Sequence, residues 1–296
     1  MTTRTAAAAA GLRDTVEQLC RSSRRTATDP YGAVEWPPAV DPDRDWFFVP
    51  SLSSLYGTAH WDALGETGQR RLVFFEAVNF FSLNIHGERA LMEGIASRLY
   101  RSDLIEVADY LHHFLDEENK HSVYFGGFCR RYARIYPSRQ VAVPEDVPRE
   151  DADFLFFARV LLFEEIVDRY NLIQANDADL HPLARWINHN HHAEETRHLI
   201  FGRRLVEALW EAHRESWGAE RRGEIGRYLN QFLAMTWREY YNPDVYRDCG
   251  LADPYAVARS AWAAPAQRSH RRRLSERCVR FLIDRGITTE EPADAF

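Results

Sequence analysis

Seven residues in this 296-residue chain have the types and the spacing of a metal centre. In "HNHHAEETRHL" (189–199), His191, Glu195 and His198 stand at i, i+4 and i+7. A helix turns about 100° per residue, so these three share one narrow stripe. Ile187, Gly202 and Leu205 continue the stripe, which therefore faces the core, while His189 points away and His192 sits to the side. Inward-facing charge is costly unless something compensates it, and a metal ion is one such partner. One Glu-x-x-His proves little, because with twelve histidines about one match arises by chance. The chain has two. "DEENKH" (116–121) places Glu118 and His121 among Leu111, Phe114, Leu115 and Phe125.

Bundles that hold two irons or manganeses take one Glu from each of two helices and Glu-x-x-His from each of the other two. Each single Glu should then lie one antiparallel helix earlier. Glu88 precedes Glu118 by thirty residues, on a stripe with Phe74, Ala77, Phe81, Met92 and Ile95. Glu164 precedes Glu195 by thirty-one, on a stripe with Phe157, Val160 and Leu161. Both halves of the chain repeat one layout. Glu165 competes with Glu164, with Ala158, Leu161 and Leu172 on its stripe, but Arg169 at i+4 suits it to a surface ion pair. Glu76 lies on an apolar face turned away from that of Glu88 and reads as a polar-network member or exposed; Glu93, among His86, Arg89 and Ser97, reads as solvated.

An acidic residue precedes each Glu-x-x-His glutamate, namely Glu117 and Glu194. A metal-bound imidazole usually gives its second N–H to a carboxylate or carbonyl. Across a pseudo-twofold bundle, Glu117 can reach His198 and Glu194 can reach His121; the competing reading makes each a surface glutamate. The ligand set Glu88, Glu118, His121, Glu164, His191, Glu195 and His198 is hard to borderline, suited to iron or manganese and unlike a thiolate zinc site. Four carboxylates neutralise two Fe(II) ions, which together can deliver two electrons to O2 and give a peroxo-bridged diferric species. The aromatic surroundings, Phe74, Phe80, Phe81, Phe125 and Phe157, are candidates for a dry lining, though each singly fits plain core.

Long helices must position these residues. Helical periodicity dominates the chain and strand alternation is nearly absent. Four segments stand out at about 67–99, 103–135, 150–175 and 180–214, with Asp103 and Glu106 forming a capping box for the second. A short N-terminal helix and roughly three C-terminal ones complete an all-α, ferritin-like four-helix bundle with added helices. Proline-bearing stretches at 30–50, 136–148 and 241–254 read as connections. No linker or low-complexity tract divides the chain, so one domain over 1–296 is expected, with the metal-binding bundle at about 67–214.

Composition narrows the classes. Net charge is −7 with no long basic run, which argues against a nucleic-acid surface. The densest arginine cluster, "RSHRRRL" (268–274), reads as a solvated helix face before an anion or partner site. The longest apolar run, "FLFFARVLLF" (154–163), is too short to span a membrane. The N-terminus lacks a signal-peptide core, and Cys20, Cys129, Cys249 and Cys278 are scattered, so reduced thiols in a cytoplasmic protein are expected.

The order Glu88, Glu118-x-x-His121, Glu164, His191-x-x-x-Glu195-x-x-His198 resembles the di-iron arylamine N-oxygenases, typified by the p-aminobenzoate N-oxygenase, over about residues 70–215. The histidine four residues before the second pair, here His191, is that family's third imidazole. The resemblance implies a monooxygenase of specialised metabolism, such as antibiotic biosynthesis, that oxidises an amine to hydroxylamine, then nitroso or nitro. It implies two iron ions, O2 as co-substrate, manganese as the mis-metallating ion, and a reductase or ferredoxin as external electron donor; it admits a homodimer. Glu88 stands nearer to Glu118 than the family layout leads one to expect, and "NFFSLNIHG" before it offers no Arg or Lys for an aminobenzoate carboxylate. A C–H hydroxylase or desaturase shares the ligands, and a ferritin-like iron store shares the carboxylates without requiring His191.

Overall fold

The structure is a computed structural model that describes residues 3–138 and 148–296. Residues 139–147, most of the connection expected at 136–148, lie outside the described residues. Among the described residues ten α-helices run in order: α1 (Thr3–Arg25), α2 (Ala59–Ala63), α3 (Gly65–Ala96), α4 (Ala108–Tyr132), α5 (Arg149–Ala175), α6 (Pro182–His213), α7 (Ala219–Glu239), α8 (Pro243–Asp248), α9 (Pro254–Ala263) and α10 (Pro265–Asp284). Among the described residues there is no strand, only an isolated bridge between Trp46 and Leu180. No helix among them is long and apolar enough to cross a membrane.

The expected four-helix core is α3 to α6. The two heaviest contacts pair α3 with α4 and α5 with α6; α3 against α5 and α4 against α6 close the bundle. Helix α1 lies across α4 and α6, while α7 and α10 back α5. The all-α, ferritin-like arrangement thus follows from four apolar stripes turned to one axis.

Three local readings are corrected. Helix α4 starts at Ala108, after a 3-10 turn at Ile105–Val107, and its N-cap residue is Val107, not Asp103. Arg101 draws the Asp103 carboxylate away at 2.6 Å, and Glu106 binds Arg13 at 3.1 Å instead of reaching back. The 241–254 stretch contains α8, because the Asn242 side chain caps Asp244 N–H and Pro243 pre-sets the first turn. The arginine cluster is not wholly solvated. Arg271 is 0 % exposed, donates to Ala295 O at 2.6 Å and to Tyr241 Oη at 2.7 Å, and lies over the Trp262 ring.

Close approach of α3 to α5 depends on Gly87. A Cβ built there would stand 2.6 Å from Cε1 of Phe163. Gly87 precedes Glu88 and Phe163 precedes Glu164, so this close contact falls beside two candidate ligand positions.

Candidate metal centre

All seven sequence-picked residues are buried in the bundle, none more than 4 % exposed, and six of them fall into two close groups that leave Glu164 outside. Glu88 comes from α3, Glu118 and His121 from α4, Glu164 from α5, and His191, Glu195 and His198 from α6. Two groups form, Glu88–His121–His191 and Glu118–Glu195–His198, each with potential ligand atoms within 4.8 Å of one another. His198 Nδ1 is 2.9 Å from Glu118 Oε1 and 3.3 Å from Glu195 Oε1. His121 Nδ1 is 3.6 Å from Glu195 Oε1 and 3.7 Å from Glu118 Oε2. His191 turns its other nitrogen inward, with Nε2 2.9 Å from Glu195 Oε1 and 3.8 Å from Glu88 Oε1.

The outward nitrogens are held by carboxylates. Glu117 Oε2 lies 2.9 Å from His198 Nε2, and Glu194 Oε2 lies 2.9 Å from His121 Nε2. The second oxygen of each binds a buried cation: Arg197 Nη2 donates to Glu117 Oε1 at 2.6 Å, and Lys120 Nζ to Glu194 Oε1 at 3.0 Å. These cations were missed in the sequence, although a signal was there. "EENKH" (117–121) and "EETRH" (194–198) both read Glu-Glu-x-basic-His, so the repeat extends to the basic position.

Electrostatics divides the carboxyls. Burial, then Glu118, pushes Glu88 well above its ordinary value; burial, then Glu195, does the same to Glu164. Burial also opposes ionisation of Glu195 and Glu118, but His198 and the neighbouring imidazoles outweigh it and hold both low. Glu117 falls to about 2: burial opposes its charge, and His198 and Arg197 overcome that. His191 is lowered, by burial and then by His121.

Glu164 and Glu165 part company. Neither oxygen of Glu164 has a hydrogen-bond partner among the described residues, and its strongest charged neighbours are Glu195 and His198. Glu165 is turned to α10 and α6, taking Arg203 Nε at 2.6 Å with Arg277 Nε at 3.8 Å. It is buried, not exposed, and its ion pair is with Arg203, not Arg169. Long-range packing supplied a partner that helical spacing alone could not reveal. Glu76 is buried and held by Ser54, a polar-network role, whereas Glu93 is exposed beside Arg89.

Of the candidate lining rings, Phe81 stacks on Phe125, which meets His191 edge-on with centroids 4.9 Å apart. Phe114, outside that candidate list, stacks on His198 at 4.0 Å. Phe80 packs with Tyr170, Phe74 with Phe47 and Phe128, and Phe157 with Phe156, all away from these imidazoles. A further polar side chain missed in the sequence is Asn171, whose Nδ2 lies 2.6 Å from His191 Nδ1.

The donor set fits two divalent cations. Glu88 Oε1, both Glu164 oxygens, Glu195 Oε2 and His121 Nδ1 are buried without hydrogen-bond partners. Burying five such atoms unpaired would cost several kcal/mol, since each carries about 1–3 kcal/mol. Four carboxylates match the charge of two divalent ions, because Lys120 and Arg197 already offset Glu194 and Glu117.

Comparison with known proteins agrees with this chemistry. A protein-family profile described as "P-aminobenzoate N-oxygenase AurF" matches residues 10–286. No curated protein matches the chain significantly. The match extends well beyond the bundle, to α1 at one end and α10 at the other. With a ferritin-like fold and a buried Glu/His cluster in the same chain, the conclusion is that this protein belongs to the p-aminobenzoate N-oxygenase AurF family, a family of O2-dependent di-iron monooxygenases.

Proposed function

We propose that the chain N-oxygenates a small-molecule amine in specialised metabolism, taking it to the hydroxylamine and onward to nitroso or nitro. The observation that carries this reading is the set of unpartnered carboxylate and imidazole atoms converging in the bundle of a chain of this family. Glu88, Glu118, His121, Glu164, His191, Glu195 and His198 would hold two iron ions. Iron held there would supply the redox chemistry for reducing O2 and transferring oxygen to nitrogen. With O2, two electrons and two protons, amine to hydroxylamine and nitroso to nitro each gain one oxygen on nitrogen and release one water, whereas hydroxylamine to nitroso is a net loss of two hydrogens and releases two waters. The electrons come from an external donor, a reductase or ferredoxin.

The chain's own residues set the conditions for that chemistry. Glu117 and Glu194 fix the rings of His198 and His121 with Nδ1 turned inward, and Lys120 and Arg197 keep both carboxylates charged in a dry interior. Phe81, Phe114 and Phe125 exclude water from the imidazole side. Anaerobic loading with Fe(II), followed by O2 and a panel of arylamines and alkyl substrates read by mass spectrometry, tests the proposal. Two irons per chain and products that gain oxygen on nitrogen are expected. One iron or none, or products that only lose two hydrogens, would overturn it.

A further inference from the structure

A line of three buried carboxamides runs from His191 to the backbone of α6. Asn171, Gln174 and Asn188 are each 0 % exposed. Its polarity is fixed from the far end. Ala184 O is a carbonyl and can only accept, so Asn188 must turn Nδ2 to it, at 2.8 Å. Asn188 Oδ1 then accepts from Gln174 Nε2 at 3.0 Å. Gln174 is thereby left with Oε1 facing away from Asn188, and that oxygen has no partner among the described residues. Asn171 Oδ1 is likewise buried and unpartnered, while Asn171 Nδ2 sits on His191 Nδ1.

With Nδ2 aimed at the ring, Asn171 requires His191 Nδ1 to be bare and its proton to sit on Nε2, directed at Glu195. That arrangement suits a metal-free ring and leaves two buried carbonyl oxygens orphaned. It is incompatible with ligation through Nε2, because a metal displaces the Nε2 proton and the neutral ring must then carry it on Nδ1. Two donors, Nδ1–H and Asn171 Nδ2–H, would face each other at 2.6 Å.

We infer that Asn171 is a positioning residue for His191 whose carboxamide turns by 180° when the centre is loaded. Turned, Oδ1 accepts the His191 Nδ1–H, and Nδ2 is freed for Gln174 Oε1, which lies at i+3 on the same face of α5, a spacing at which side-chain amides pair. Both orphaned oxygens are then answered by one rotation. The carboxamide line thus selects the tautomer that presents Nε2 inward, as Glu117 and Glu194 select Nδ1 for the other two imidazoles. His191 differs from them in being backed by a neutral group, with no carboxylate behind it.

This inference rests on the metal-centre reading, and zinc(II) uptake by apoprotein carrying 15N-histidine tests the two separately. In zinc-loaded wild type, His191 is expected to carry its proton on Nδ1, and His121 and His198 on Nε2. Asn171→Asp, which can only accept, should preserve that pattern and the full zinc stoichiometry. Asn171→Leu should weaken uptake of one equivalent 10–100-fold, with helical content unchanged. Should Asn171→Leu misfold, Gln174→Met provides the second variant, with a smaller weakening expected from the stranded Asn171 Nδ2. Wild-type affinity in every variant that folds, or a His191 proton on Nε2 in the loaded protein, overturns the inference alone. A wild-type protein that takes up no metal overturns the metal centre and this inference together.

Discussion

Glu117 Oε2 lies 2.9 Å from His198 Nε2 while its other oxygen takes Arg197 at 2.6 Å, so one carboxylate bridges an imidazole and a guanidinium. Glu194 does the same between His121 and Lys120. Two copies of one motif on α4 and α6 each support the other's histidine, an exchange that an antiparallel pair of helices makes geometrically available. Removing Arg197 strips Glu117 Oε1 of its donor while His198 still pairs Oε2. Arg197→Met alone is therefore expected to destabilise the fold by about 1–3 kcal/mol. The double variant Glu117→Gln/Arg197→Met removes the pair without stranding a charge, and iron affinity should still fall 10–100-fold. A chelator-competition titration of the double variant decides this, and wild-type affinity would remove the orienting role from Glu117.

The neighbours Glu164 and Glu165 should respond oppositely to truncation. Glu164→Ala removes a carboxyl whose oxygens have no hydrogen-bond partner among the described residues, so the apoprotein should be as stable as wild type or more so. Its iron stoichiometry should drop. Glu165→Ala breaks the contact with Arg203, whose side chain is 32 % exposed and can rehydrate. It should cost about 1–3 kcal/mol and leave iron content intact. Denaturant melts and iron analysis of both variants check the pair; loss of iron in Glu165→Ala with retention in Glu164→Ala would reverse the assignment.

The residues that face the axis were legible because helical period is a local property: His191, Glu195 and His198 declare their shared face within eight residues. The outer partners were only half legible. Glu117 and Glu194 could be matched to histidines through the repeat, but Lys120, Arg197 and Asn171 act across helices, where register is set by packing that no single-helix pattern encodes. Glu165 failed for the same reason, since Arg203 is thirty-eight residues away on α6. The start of α4 was misplaced because Asp103 had a stronger partner in Arg101 than the backbone N–H it was expected to cap. Helix rotation and ion-pair choice are tertiary properties.

Glycine-to-alanine changes should separate close packing from helix propensity. Alanine is favoured over glycine inside a helix by about 0.8–1 kcal/mol. At Gly126 in α4 nothing lies within 4 Å of the added Cβ, so Gly126→Ala should stabilise by up to that amount. At Gly87 the new methyl meets the Phe163 ring at 2.6 Å. Overpacking of this kind costs about 1–3 kcal/mol, more than the propensity gain, so Gly87→Ala should be destabilising. Chemical denaturation of the two variants side by side measures both signs, and a stabilised Gly87→Ala protein would refute the close-approach explanation.

Glu76, outside the metal centre, should impose a pH dependence of its own on stability. Its Oε1 accepts from Ser54 N at 2.8 Å and from Ser54 Oγ at 2.5 Å, and Ser54 Oγ lies 2.7 Å from Tyr246 Oη. Burial raises its pKa from 4.5 to about 7, against the pull of the serine hydrogen bonds. Between those values the folded protein keeps a proton that the unfolded chain has lost, so fewer protons are bound on unfolding and stability falls as pH rises. The contribution is whole below the unfolded value and disappears as pH climbs through the folded one. At about 1.36 kcal/mol per unit, the decline totals roughly 3 kcal/mol. Glu76→Gln keeps a carbonyl oxygen for both Ser54 donors and cannot ionise. Subtracting its unfolding free energy from that of wild type, from about pH 5 to about pH 8, isolates this one group. The difference should grow against wild type across that range, and a flat difference would mean that Glu76 ionises as readily in the fold as in water.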